Sequence, residues 1–381
     1  MHPLRRSRAP ATRLRAAALR PVEVQPHTFE ADVSTGLELM ARDELLARLK
    51  ERISDLHIAP GAIMFNCTGD PGTLLTLRTV QAVFLVQTFM VARPKALLGD
   101  EHFRRLLAMI ELVRDLFPGS AFTSLHINAA GSESSVMVRL RDELARRTSL
   151  TVGEQEGDLL LRIRPAPSRL PSAASGWQVL VRLSPRPLAT RSWRVCNLEG
   201  ALNAAVAQAM IRLTRPARHD AFLNLACGSG TLMVERLSAG RAARVIGVDR
   251  EARVLACARE NLEAAGFGRQ ADLVRADTRA LPLPDACVDV LAADLPFGHL
   301  MGSHAENVAA YPSVLREAAR VSRPGARFAL ITHEVRLMEQ LLAEPACPWR
   351  AEQVLKVELG GLFPRIFTLW MPAPEGHAGY A

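Results

Sequence analysis

Asn224-Leu225-Ala226-Cys227-Gly228-Ser229-Gly230-Thr231 follows a short apolar run and opens a stretch of helical periodicity. Glycines at 228 and 230 let the backbone turn sharply and approach a ligand closely, and the free amides of the helix start face whatever binds there. A glycine-rich turn alone also fits any tight strand-to-helix connection, so the surrounding pattern has to decide. That pattern is a strict alternation. Helical periodicity over residues 198–213 leads to an apolar strand at 221–225, then helix 231–238, strand 244–248, helix 252–265 and strand 272–275. A strand at 288–292, a helix at 308–321, a strand at 327–332 and a helix at 335–342 continue it; strands at 353–359 and 366–370 close it. Such alternation requires crossover connections and predicts an α/β fold on a doubly wound, mostly parallel sheet. The last two of its seven strands are expected to be antiparallel, because only residues 360–365 join them.

An open sheet of this type binds ligands at the carboxyl ends of its strands, and three further stretches end strands there. Gly247-Val248-Asp249-Arg250 puts an acid 19 residues after Gly230, where a carboxylate can accept both hydrogen bonds of a ribose diol. A nicotinamide dinucleotide site is the competing reading, but its fingerprint needs a third glycine where Met233 stands. Arg275-Ala276-Asp277-Thr278 ends the third strand. Asp277 alone serves equally as a helix cap or turn former; in register with the other turns it is placed to meet an adenine amine. Asp294-Leu295-Pro296-Phe297-Gly298 ends the fourth strand. Pro296 forces Leu295 into an extended conformation, so the Leu295 carbonyl can stand beside the Asp294 carboxylate, and Phe297 can stack on a planar base. Two acceptors and a stacking ring suit methylation of an exocyclic amine, whose lone pair is delocalised into the ring until its N–H groups are held. A cysteine-nucleophile route to carbon methylation is not supported, since Phe297 rather than a thiol follows Pro296.

The N-terminal half reads differently. Residues 27–97 mix a helix over 41–50 with strands over 62–66 and 74–77 around the turn Gly69-Asp70-Pro71-Gly72, which predicts a small α+β unit. Residues 98–192 carry helices over 102–116 and 134–147 and strands over 120–127, 159–164 and 178–183, with a Pro/Ser/Ala-rich loop between the last two. Residues 193–381 hold the alternating pattern. The first 26 residues, with Arg5, Arg6, Arg8, Arg13, Arg15 and Arg20 and no acid before residue 23, fit a disordered basic tail, an over-extended start or a transit peptide.

Composition bounds the rest. The 381 residues suggest two or three domains, and 49% apolar content is ordinary for globular cores. The net charge of +8 is almost all arginine, 44 residues against Lys50, Lys95 and Lys356. GC-rich coding and a nucleic-acid footprint explain that bias equally well. No run approaches the ~18–20 apolar residues a membrane span needs. Six scattered cysteines with no CxxC pair predict neither a zinc site nor a disulfide scaffold, and fit a reducing, cytoplasmic compartment.

Residues 224–231 with Asp249, Asp277 and Asp294-Leu295-Pro296-Phe297 resemble the class I S-adenosylmethionine-dependent methyltransferases that act on nitrogen. The form Asp-Leu-Pro-Phe-Gly is similar to that of the THUMP-domain RNA guanine-N2 methyltransferases. Gly36-Leu37-Glu38 resembles the start of that family's ferredoxin-like unit; residues 134–147, 158–164 and 179–191 resemble its RNA-binding THUMP module, and residues 360–365 its C-terminal loop. The resemblance implies a seven-stranded Rossmann-like methyltransferase domain over 193–381 preceded by a ferredoxin-like unit and a THUMP module. It implies S-adenosylmethionine as cofactor, held by Val195, Asn197, Glu199, Asn224, Ala226, Cys227, Gly228, Ser229, Gly230, Asp249, Arg250, Asp277, Thr278 and Asp294, with no metal. It assigns the reaction to Asp294, Leu295, Pro296 and Phe297, and tRNA as substrate to a monomeric, cytoplasmic enzyme that binds neither DNA nor membrane. Arg182, Arg186, Arg191 and Arg194, where the two halves meet, are expected to contact RNA phosphates. Ribosomal RNA methylation and a non-catalytic cofactor- and RNA-binding scaffold are the alternatives. The chain departs from the family at Asn224, where aspartate is usual, and at Leu225, where proline is common.

Overall fold

The computed structural model describes residues 26–117, 119, 121–167, 176–295 and 304–373. The N-terminal half comprises β1 (His27–Asp32), α1 (Glu38–Leu49), β2 (Ile53–Ala59), β3 (Ala62–Cys67), β4 (Ala82–Phe89), α2 (Asp100–Arg114), β5 (Ser124–Ala129), α3 (Ser135–Thr148), β6 (Thr151–Val152), β7 (Leu159–Pro165) and β8 (Trp177–Arg182). All eight strands join one sheet, in the order β2-β3-β1-β4-β8-β7-β5-β6. The boundary expected at residue 97 therefore does not interrupt hydrogen bonding. β4 of the first unit pairs antiparallel with β8 of the second, Phe84 opposite Arg182 and Phe89 opposite Trp177. Residues 74–77, expected as a strand, lie instead mostly within a 3-10 helix, Pro71–Thr76. Asp70 accepts from the Gly72 N–H at 2.8 Å, and Pro71 presets the first helical φ, so capping chemistry outweighs the apolar run.

The C-terminal half follows the alternation closely: α4 (Ala204–Leu213), β9 (Ala221–Leu225), α5 (Thr231–Ser238), β10 (Arg244–Asp249), α6 (Ala252–Ala264), β11 (Asp272–Arg275), β12 (Val288–Asp294), α7 (His304–Val321), β13 (Ser322–Thr332), α8 (Val335–Ala343), β14 (Arg350–Lys356) and β15 (Arg365–Trp370). Strand order is β11-β10-β9-β12-β13-β15-β14, with the first five parallel and β15 antiparallel to both its neighbours. The expected antiparallel end is present. α4 starts six residues later than its periodicity implied, because the Asn203 side chain accepts from the N–H groups of Ala205 and Val206 and fixes the first turn there.

Period-two alternation splits the core around the C-terminal sheet in two. On β9 and β12, Phe222, Val290 and Ala292 face one cluster with α4 and α5, whereas Leu223, Leu225, Leu291 and Ala293 face another with α7 and α8. The first cluster continues without a break into the N-terminal sheet through Val83, Leu85, Val179 and Val181. Polar bridges fix the halves together. Glu235 on α5, fully buried, takes the guanidinium groups of Arg78 at 2.8 Å and Arg191 at 3.0 Å. Gln81 and Asn203 exchange side-chain amide hydrogen bonds. Gly36, at φ +99°, lies so close to the Lys356 carbonyl that a Cβ there would stand 1.9 Å from its oxygen. Glu38 caps the same turn, accepting from Gly36 and Gly61 N–H groups at 2.9 Å.

Candidate active site

The turn after β9 carries positive φ at Ala226, Gly228 and Gly230. A side chain added at Gly228 would meet no atom within 4 Å, so the turn presents bare backbone to open space. Cys227 N–H donates to the Val248 carbonyl at 2.9 Å and Gly228 N–H to Asp249 Oδ2 at 3.1 Å, which stitches the turn to the end of β10. Asp249 Oδ1 accepts from Glu251 N–H. With one donor on each oxygen, the half-buried carboxylate keeps acceptor capacity for a diol. Asn224 is 1% exposed; its Nδ2 donates to the carbonyls of Leu225 and Ala292, both at 3.2 Å, and its Oδ1 has no partner. A buried acceptor left unsatisfied beside a glycine turn suits an ammonium donor, as the amino-acid end of S-adenosylmethionine provides. The residues present therefore fit that cofactor.

Asp277 is less available. Arg279 grips both its oxygens, at 2.6 to 3.1 Å, and this hydrogen bonding holds its carboxyl below the usual carboxylate range. Thr278 stands half-buried beside it, while Arg250 is exposed.

Asp294 closes β12, between β9 and β13, and Leu295 N–H donates to the Ile331 carbonyl at 3.1 Å. The Asp294 side chain is half-buried, and burial pushes its carboxyl up to about 7. Pro296 and Phe297 lie outside the described residues. Beside the motif stands a polar cluster that sequence reading did not single out. Tyr311 Oη bonds Thr332 Oγ1 at 2.8 Å, Glu334 N–H donates to the same Oγ1, and Asn307 and His304 approach the Glu334 carboxylate at 3.2 and 2.9 Å. Burial raises the Tyr311 phenol, with the charges of Glu334 and Asp294 adding to the effect. The legible signal was the polar stretch Thr332-His333-Glu334 directly after an apolar strand.

The segment containing Val195, Asn197 and Glu199 is exposed at those three positions and clamped at Cys196. Asn261 on α6, fully buried, accepts from Cys196 N–H at 3.0 Å and donates to the carbonyls of Cys196 at 2.8 Å and Ser229 at 3.0 Å. It thus ties the segment to the glycine turn. Cys196 and Cys257 are joined by a disulfide, a pairing that the scattered spacing of the cysteines did not predict. The partners lie 61 residues apart in sequence, and α6 brings them together one turn before Asn261.

Three of the four arginines expected to meet RNA have guanidinium groups bonded within the protein. Arg182 donates to the carbonyls of Ser184, Gly157, Asp158 and Pro185. Arg191 pairs with Glu235 and donates to the carbonyls of Leu188 and Arg78. Arg194 reaches the Leu202 carbonyl and the Thr231 hydroxyl at the start of α5. Each guanidinium is thus engaged within the protein, where its bonds tie neighbouring segments together. Of the four, Arg186 alone is exposed.

Residues 191–365 match the UPF0020 family, described as an RMKL-like methyltransferase domain. These residues are similar to that methyltransferase domain. Among curated proteins, the tRNA (guanine(6)-N(2))-methyltransferase THUMP3 of Mus musculus is 31% identical over 180 residues, covering 44% of this chain and 36% of its own length. The tRNA (guanine(6)-N2)-methyltransferase of Thermus thermophilus is 34% identical over 190 residues, 50% of this chain and 55% of that protein. The chain thus matches between about a third and about half of the length of these relatives. Among solved structures, TrmN from Thermus thermophilus superposes with a TM-score of 0.70 at 25% identity, over 90% of this chain and 99% of that one. The likeness to TrmN therefore extends well beyond the methyltransferase domain.

Proposed function

We propose that the protein transfers a methyl group from S-adenosylmethionine to the exocyclic N2 amine of a guanosine in tRNA, giving N2-methylguanosine. The observation that carries this reading is Asp294, a carboxyl poised near neutrality at the carboxyl edge of a methyltransferase sheet, in a chain similar over nearly its whole length to TrmN. When bound, S-adenosylmethionine supplies the methyl as a sulfonium, so transfer needs only an exposed nitrogen lone pair in line. Asp294 and the Leu295 carbonyl accept the two amine hydrogens, which turns the lone pair out of the ring plane. As the C–N bond forms and the C–S bond breaks, the nitrogen carries one proton too many, and a carboxylate with a pKa of about 7 can take it. Phe297 stacks on the extruded base. Asp249 holds the ribose, Asn224 Oδ1 the ammonium, Asp277 and Thr278 the adenine, and the clamped segment Val195 to Glu199 covers the cofactor. Residues 98–192 act as the THUMP-type RNA-binding unit, with Arg186 among its phosphate contacts, and the protein works in the cytoplasm as a monomer.

The test uses purified protein with labelled S-adenosylmethionine and, separately, bulk tRNA, ribosomal RNA and duplex DNA, followed by nucleoside mass spectrometry. N2-methylguanosine in tRNA that disappears in Asp294→Ala is the expected result. The same nucleoside only in ribosomal RNA would reassign the substrate, methyladenine in DNA would overturn the RNA reading, and cofactor binding without transfer would favour the scaffold.

A further inference from the structure

The hairpin joining β14 to β15 has no part in the chemistry above, and its build is unusual for a solvent loop. Leu359 and Leu362 exchange backbone hydrogen bonds at 2.9 and 3.0 Å around Gly360 and Gly361, which both have positive φ. This is a two-residue turn of the primed type, whose twist matches that of the strands it joins. Val357 N–H donates to the Pro364 carbonyl, and Glu358 N–H to the Thr35 carbonyl of the N-terminal half, so the hairpin is braced on both sides. On this rigid finger Leu362 and Phe363 are 45% and 50% exposed, and the Lys356 ammonium sits 4.5 Å from the Phe363 ring centroid.

Its position follows from register. Asp294 pairs with Ile331, and Ile331 with Ile366; Thr332 pairs with Arg365, where the hairpin re-enters the sheet. The finger therefore leaves the same sheet edge that carries Asp294, two strands away. Two interstrand steps are ~10 Å, roughly the length of three stacked bases at ~3.4 Å each.

We infer that this finger is a second nucleobase-binding element, in which Phe363 stacks on an unpaired base close to the target nucleotide while Lys356 and Arg365 meet the adjoining phosphates. The inference rests on the RNA substrate proposed above. A ring with a cation against it, held on a braced turn, loses little freedom on binding, and stacking accepts any base. On the hairpin Lys356 and Arg365 outnumber Glu358, which favours a polyanion at this edge.

Filter binding of bulk tRNA to full-length protein tests it without turnover. Phe363→Ala is expected to bind about tenfold more weakly, within the range of base–aromatic stacking, with cofactor affinity and melting temperature unchanged; Phe363→Trp is expected to restore binding. Lys356→Ala should lower the slope of log affinity against log salt by about one phosphate's share. Equal tRNA affinity in wild type and Phe363→Ala overturns the inference. So does a melting temperature lost in Phe363→Ala, because the ring would then be a packing element. Wild-type protein that binds tRNA through Phe363 but methylates nothing would keep the finger and overturn the catalytic reading. Wild-type protein that binds no RNA overturns both.

Discussion

The carboxyl of Asp294 changes its charge near neutrality, and two outcomes follow from the direction of that shift. Only the ionised form accepts from both the amine and its departing proton, so single-turnover methyl transfer should rise about tenfold per pH unit below about 7 and level off above it. Because the folded pKa lies above the ordinary carboxylate value, the fold is relatively stable with Asp294 protonated and loses that advantage as pH rises through 7. Asp294→Asn should therefore abolish transfer yet raise the melting temperature at pH 8, with the gain vanishing by pH 4; a lower melting temperature at pH 8 would contradict the assignment. Asn224 makes the opposite case. Its amide nitrogen donates to the carbonyls of Leu225 and Ala292, so a carboxylate would turn an oxygen against both. Asn224→Asp, although it matches the family, is expected to lower the melting temperature by several degrees at pH 8 and by less at pH 5, as an unpaired buried carboxylate becomes protonated.

At the scale of elements, Asn261 deserves a test of its own through α6. Asn261→Ala removes three hydrogen bonds that tie Cys196 to Ser229, and is expected to weaken S-adenosylmethionine binding by isothermal titration about tenfold or more, at ~1 kcal/mol for each bond lost. An unchanged affinity would mean that the clamped segment does not line the pocket. Such elements also show what the sequence could disclose. The C-terminal sheet was legible because periods of 2 and 3.6 alternate without interruption, and its four strand-end motifs fall on one edge for the same reason. The starts of α4 and of the 3-10 helix at Pro71 were not, since a single cap by Asn203 or Asp70 decides them against the apolar pattern. Asn261 was visible as a lone amide among Cys257, Ala258 and Leu262, but its partners come from segments 32 and 65 residues away. The internal bonding of the three arginines was illegible for that reason too. A guanidinium's sequence neighbours do not say which distant carbonyls, such as Gly157 for Arg182, will need it.

For the whole molecule, the buried carboxylate of Glu235 with Arg78 and Arg191 holds the halves in one orientation. Glu235→Ala leaves two guanidinium groups facing each other without their anion, and should cost about 3–5 kcal/mol; thermal unfolding is expected to shift downward and to separate into two transitions. A single transition at the wild-type temperature would show that apolar packing alone joins the halves. Another consequence lies in the order in which the chain emerges during synthesis. β4, apolar on both faces, pairs on one side with β1, which precedes it, but its other neighbour β8 is made about 90 residues later. At 5–20 residues per second the ribosome needs roughly 5–20 s to deliver that partner. Throughout that interval an edge reading Ala82-Val83-Phe84-Leu85-Val86 stands open to any strand that reaches it first. Nascent-chain chaperones should therefore crosslink most strongly to ribosome-bound chains halted between residues 120 and 170, and release them once β8 has left the tunnel.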